Sequence, residues 1–348
     1  MVSQFEPEQF SGPEDDEPGQ SDLVFECRTD DGRRLTNMLA SICLSSRQRD
    51  ASSTLAWCEI EDDKITFTVG VAKSLQAVAY VKREGIFHKW YLSEEHRRDH
   101  PAQEKLEFGI NLATLLECLR IFGGAAVGGG GSGYECKAQL HISYRASTAC
   151  LNLCLVEGHS VTECEIHTLD IEEPHRVCLS LAEGEDRYPA RIVVSSEALK
   201  SGIDELEWGG DTNKDKRVLL RVTARPGVLS LTVSSTDVGC EMVYPENALI
   251  GFDATRDLTF EYRFLHLHMA LRSLKDSHQT QLQVDHNGVL EIKMKFSAAA
   301  SRAAELFSHF FLFPLLEDED PVEDASGDPS GTATTSLDGA RDPFDGFS

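Results

Sequence analysis

The sequence predicts an α+β fold made of two similar halves. Extended segments greatly outnumber helical ones, and strands and helices do not alternate strictly as a doubly wound parallel sheet requires. The order strand, helix, several strands, helix, strands also occurs twice. Two helices on one face of an antiparallel sheet leave each half with an outer helical side that is polar and open to something large. At 348 residues the chain has room for about two domains of ordinary size.

In the first half, Leu23–Cys27 reads as a strand. A helix is expected over Arg34–Ser45, because Leu35, Met38, Leu39 and Ile42 fall on one face. Strands Thr54–Ile60 and Lys64–Val69 flank the polar turn Glu61-Asp62-Asp63. Further extended runs cover Ser74–Val81, Ile86–Leu92 and Lys105–Ile110. Asn111 then offers an N-cap to a second helix whose stripe is Leu112, Leu115, Leu116 and Leu119. A Gly-rich loop, Gly123–Gly133, leads to strands Lys137–Tyr144, Ala149–Val156 and Val161–His167. The second half repeats the order. Its expected strands are Val177–Ala182 and Arg191–Val194, followed by a helix at Ser196–Leu206. Strands Val218–Ala224, Val228–Ser234, Glu241–Tyr244 and the alternating Leu258, Phe260 and Tyr262 follow. A helix near Phe264–Lys275 and strands Gln281–Val284, Val289–Phe296 and Phe307–Phe313 end the pattern.

Charge is unevenly spread. The 33 Lys and Arg face 58 Asp and Glu, a net of −25. Residues 1–21 hold six acids and no base, and 317–348 hold ten acids and Arg341 alone, which leaves 42 acids and 32 bases in the body. Both ends have the composition of disordered tails. Residues 1–21 lack the basic start and apolar centre of a signal peptide. No apolar run is long enough to span a membrane as a helix. The ten cysteines form no C-x-x-C pair, and several lie among apolar residues, as Cys118 and Cys154 do. They read as small buried hydrophobes in a reducing, intracellular setting, without zinc or disulfides.

No enzyme signature emerges. Gly128–Gly133 satisfies G-x-G-x-x-G only through its glycine content, and it follows a helix instead of opening one. Asp170-Ile171-Glu172 is a D-x-E of the kind that begins some exonuclease metal sites, but two-metal hydrolysis needs further converging carboxylates. The segment reads better as a solvated linker, with 3′-5′ exonuclease action through Asp170 and Glu172 as the alternative. His96–His100 is a polar loop, and His266 and His268 lie two apart on a helix, so they cannot chelate together. No cofactor and no metal ligand set is expected. The remaining signal is basic: Arg33, Arg34, Arg120, Lys200, Arg263, Arg272 and Lys275 all lie on or beside the four helices. On one surface they would form a local strip facing phosphate within an acidic protein.

The run Ile110–Gly123 closely resembles the second helix of the Rad-one subunits of the nine-one-one checkpoint clamp, a family related to the proliferating-cell sliding clamp. Gln76–Tyr80 and Gly85–Phe87 are similar to the preceding strands of that family, and the likeness extends from about Asp22 to Leu316. It implies the DNA-clamp fold. The chain divides into a tail at 1–21, a first domain at 22–167, a linker at 168–176, a second domain at 177–316 and a tail at 317–348. The resemblance also implies a noncatalytic subunit of a heterotrimeric ring in the nucleus. With two sister subunits, that ring is placed around double-stranded DNA at damage sites by an ATP-driven loader, and it supports checkpoint signalling and the recruitment of repair enzymes. The helices carrying Arg33, Arg34, Arg120, Lys200, Arg263, Arg272 and Lys275 would line the hole, although Glu117 and Glu197 make that lining less positive than in a replicative clamp. Subunits would join edge to edge through Val161–Thr168 (Cys164, Ile166) and Val233–Cys240 (Ser235, Val238), with Pro at Ile166 expected to weaken the joint. Leu169, Ile171, Phe313, Leu315 and Leu316 would border an apolar pocket for partner peptides.

Overall fold

The computed structural model describes residues 22–44, 55–71, 74–93, 105–123, 139–157, 160–171, 188–207, 216–234, 239–272, 274, 277–296 and 306–315. Its first half runs β1 (Leu23–Thr29), α1 (Gly32–Ile42), β2 (Leu55–Ile60), β3 (Lys64–Val71), β4 (Leu75–Lys82), β5 (Lys89–Leu92), β6 (Leu106–Asn111), α2 (Leu112–Gly123), β7 (Gln139–Arg145), β8 (Cys150–Glu157) and β9 (Ser160–His167). The second half runs β10 (Ala190–Ser195), α3 (Ser196–Leu206), β11 (Arg217–Thr223), β12 (Val228–Ser234), β13 (Gly239–Pro245), β14 (Gly251–Ala254), β15 (Leu258–Arg263), α4 (Phe264–Leu271), β16 (Gln279–Val284), β17 (Leu290–Phe296) and β18 (Leu306–Leu312).

The helices begin where the sequence supplies caps. The Asp31 carboxylate accepts the Arg34 N–H at 3.2 Å, and the Asn111 side-chain oxygen accepts the Thr114 N–H at 3.1 Å. Their apolar stripes are buried as the spacing requires: Leu35, Met38, Leu39 and Ile42 on α1, Leu112, Leu115, Leu116 and Leu119 on α2, and Leu199, Ile203 and Leu206 on α3. Helix α4 closes earlier than its sequence pattern suggests, with Arg272 as its C-cap. The run from Ile86 divides into a turn and the short strand β5, because Gly85 takes a positive φ of 82° and bends the chain. Strand β14 was not legible in the sequence. The expected strand Val177–Ala182 lies outside the described residues.

The described strands form three antiparallel sheets: β5-β1-β7-β8-β9, β14-β10-β16-β17-β18-β4-β3-β2-β6, and β13-β12-β11-β15. This order is one pattern used twice. Strands β1, β7, β8 and β9 correspond to β10, β16, β17 and β18, and β4, β3, β2 and β6 correspond to β13, β12, β11 and β15. The nine-stranded sheet exists because β18, the last strand of the second half, pairs with β4 of the first, Phe310 lying opposite Ala77 and Leu312 opposite Leu75. Helices α1 and α2 pack together, as do α3 and α4, and both α1 and α4 rest on β18. The helices of both halves therefore share one side of the β4–β18 joint, over a continuous core in which Phe310 is fully buried. On the opposite side, Val78, Val289 and Phe311 form a smaller apolar cluster with Tyr80 and Phe313 packed against it.

Candidate functional site: a helical face and two open strand edges

The sequence-predicted basic residues differ in availability. Arg33, Arg120, Arg263 and Arg272 are exposed. The Arg34 side chain is largely covered and reaches Asp31 at 4.0 Å. Lys200 is held by Asp204 at 2.6 Å one helical turn on. Lys275 lies outside the described residues. Exposed Glu197, Asp204 and Glu205 make α3 the acidic member of the four, and Glu117 faces solvent on α2. Arg263 also lies close enough to His266 to act on it: burial, then this guanidinium, pushes the imidazole pKa down. The helical face can attract phosphate through α1, α2 and the two ends of α4, and much less through α3.

The strand edges are treated unequally. Edges that occur in both halves share one fate at β6 and β15, where the chain returns to cover each. The Leu169 N–H donates to the Gly109 carbonyl at 2.8 Å, and the Leu315 N–H to the Glu261 carbonyl at 2.7 Å. Among the described residues the short strands β5 and β14 end their sheets unpaired in both halves, and the remaining two kinds of edge are paired once and left open once. Strand β18 pairs with β4, but among the described residues nothing pairs with the outer side of their counterparts β9 and β13. Both open strands carry exposed apolar side chains, Val161 at 60% and Val243 at 53%.

This geometry corrects two details of the edge reading. Residues Val233 and Ser234 belong to the inner strand β12, so the open edge of the third sheet is β13, Gly239–Pro245; Ser235 and Val238 lie outside the described residues. On β9, Thr168 donates its N–H to Ala149, in register with the β8 ladder. Donor direction alternates along an antiparallel strand, so Ile166 and Cys164 also donate inward, while Val161, Glu163 and Glu165 aim theirs outward. Ile166 is buried, and Cys164 lies partly buried beside Cys118. Proline at Ile166 would break the β8–β9 ladder, not an outer joint. Period-two alternation marks the two faces of a strand, but it is silent about which edge its N–H groups serve.

The residues expected to border one pocket lie apart. Leu169 and Ile171 sit at the edge of β6. A Cβ added at Gly109 would lie 2.5 Å from an Ile171 side-chain carbon, so the glycine admits this close crossing. Phe313 packs instead on the Val78–Phe311 cluster, about five strand spacings or ~24 Å across the sheet. Leu315 lies along β15, and Leu316 falls outside the described residues. The outer-face residues Val78, Tyr80, Val289 and Phe311 escaped the sequence reading; the signal was that β4 and β18 are apolar on both faces. Asp170 is exposed on the segment leaving β9, not on a core strand, and Glu172 lies outside the described residues.

Two helices on one side of each half, two sheets per half and a twice-used strand order define the class: a sliding-clamp fold. Solved clamps are similar over most of the chain. The proliferating cell nuclear antigen of Entamoeba histolytica superposes with a TM-score of 0.60 at 14% identity, covering 84% of this chain and all of that one. A subunit of the PCNA2–PCNA3 complex of Sulfolobus tokodaii gives 0.58 at 11%, over 83% of this chain and 98% of that one. The profile of the family described as repair protein Rad1/Rec1/Rad17 matches residues 24–296, and the chain belongs to that family. The human cell cycle checkpoint protein RAD1 is 26% identical over 80% of this chain and 87% of its own length. The Drosophila melanogaster DNA repair protein Rad1 is 23% identical over 85% and 95%.

Proposed function

We propose that this chain is a noncatalytic subunit of a heterotrimeric ring that encircles double-stranded DNA at damage sites in the nucleus. There it supports checkpoint signalling and holds repair enzymes. One observation carries the reading: β9 and β13 stand open while their counterparts β18 and β4 are joined inside the chain. An exposed strand edge is a template for another strand. Because β9 and β13 are unlike and lie in different halves, each contact between them is head-to-tail, and such contacts close into a ring when the rotation allows. The two-domain division and the linker follow from the repeat. The helices would then line the hole, where weak, sequence-independent phosphate attraction suffices because topology retains the ring. Loading by an ATP-driven clamp loader follows from the need to open such a ring. Docking of repair-enzyme peptides fits the partly exposed Tyr80 and Phe313 on the outer face of the β4–β18 joint, with Leu169 and Ile171 outside that patch at the far edge of the sheet.

The test is a mass measurement of the chain mixed with its sister subunits. Glu165→Pro removes an outward donor from β9 and should sharply lower the yield of the three-chain species, while Glu165→Ala should not. Equal yield from both variants would refute the edge assignment.

A further inference from the structure

The joint inside the chain is a template for the joint between chains, and it fixes the register. Helices α2 and α4 begin directly after β6 and β15, so Gly109 corresponds to Glu261. The equivalent bonds Leu169 N–H to Gly109 and Leu315 N–H to Glu261 then equate Leu169 with Leu315, and hence Glu163 with His309 and Val161 with Phe307. From the other side, the registers of β6-β2-β3-β4 and β15-β11-β12-β13 equate Val78 with Glu241 and Tyr80 with Val243. Donor directions agree. Phe313 donates to Ser74 across the internal joint, so His309 aims its N–H at β4 just as Glu163 aims its own outward.

Inside the chain, Phe307 lies opposite Tyr80 and His309 opposite Val78. The same register laid between two copies of this chain puts Val161 opposite Val243, which is favourable. It also puts Glu163 directly opposite Glu241. Facing Cβ atoms in such a pair are about 5 Å apart, and like charges there oppose pairing. Neither carboxylate has a cation beside it on its own sheet: Glu163 neighbours Cys154 on β8, and Glu241 neighbours Thr232 on β12. Among the described residues neither forms an ion pair.

We infer that Glu163 and Glu241 bar a second copy of this chain from both open edges and select a strand of an unlike subunit carrying Lys or Arg at the facing position. The inference rests on the ring reading above and names the chemistry of the partner. Self-association is opposed by one carboxylate pair in an otherwise compatible joint, and reversing one member removes the bar.

The full chain and its variants are compared by sedimentation velocity over the micromolar range, with thermal unfolding to confirm folding. The chain itself should be monomeric. E241K should self-associate at least ~tenfold more tightly, and rising salt should weaken the association. The double variant E163K/E241K, now cationic on both edges, should return to monomer, and so should E241K combined with Glu165→Pro. Mixed with the sister subunits, E163K and E241K should each lower ring yield. A folded E241K that stays as monomeric as the parent overturns the inference, as does unchanged ring yield from both single variants. Failure of the ring reading is read separately, from equal three-chain yield of Glu165→Pro and Glu165→Ala.

Discussion

The contrast between Arg120 and Lys200 gives a quantitative test of the helical face. Arg120 is exposed near the end of α2 without an ion pair among the described residues, whereas Lys200 is already neutralised by Asp204 at 2.6 Å. A cation that neutralises one phosphate contributes about 0.9 to the slope of log affinity against log salt. If Arg33, Arg120, Arg263 and Arg272 each meet a phosphate, this subunit's share of the slope is ~3.6. Arg120→Ala should therefore lower the slope of the assembled ring by about 0.9. Lys200→Ala should lower it far less, because its loss mainly frees Asp204, which weakens binding at all salts. The assay is fluorescence anisotropy of the three-chain ring on short linear duplex DNA, which threads without a loader, across a salt series. Equal slope changes from the two variants would refute the assignment of Lys200 as internally neutralised. No change from Arg120→Ala would remove α2 from the phosphate-facing surface.

Gly109→Ala would place a methyl 2.5 Å from Ile171 and 2.9 Å from the Leu169 carbonyl, so the linker must lift; a loss of about 1–3 kcal/mol is expected by thermal unfolding. Phe310→Ala empties a fully buried site at the β4–β18 joint and should cost about 3–5 kcal/mol by denaturant unfolding. Phe313→Ala, at the partly exposed member of the outer cluster, should weaken binding of a repair-enzyme peptide in a direct titration and cost less stability than Phe310→Ala. Burial alone would raise the Glu291 carboxyl pKa, but hydrogen bonds from His309 and Tyr188 and the charge of Lys293 hold it below its ordinary 4.5. A depressed acid adds stability above its unfolded pKa and loses it as pH falls through the folded value. Glu291→Gln should therefore cost stability at neutral pH, with the difference from the parent shrinking below about pH 4.5 in acid titrations of unfolding.

The helices were legible because their stripes and caps are local: Leu112, Leu115, Leu116 and Leu119 need only the helical period, and Asn111 needs only its neighbours. The repeat was legible as an order of elements. The β4–β18 pairing was not, because it joins residues more than two hundred positions apart, and their apolar character announces burial without naming a partner. The basic residues were found by type, but Lys200 and Arg120 looked alike until Asp204 was placed on the same helical face. The pocket reading joined Leu169 to Phe313 through the family resemblance, whereas the sheet places four strands between them.

A ring of three such chains would contain six joints of one design, but only alternate ones would be breakable. The β4–β18 joint is tethered by the chain itself, so its partners meet at the high effective concentration of a linked pair and share a core across it. The joints between chains have no tether and gain their stability from edge contacts alone. An applied opening force would be dissipated at those seams long before the internal ones yielded. The internal joints would behave as rigid struts, so each subunit would swing as a single arc, and opening the ring would require only that one seam part.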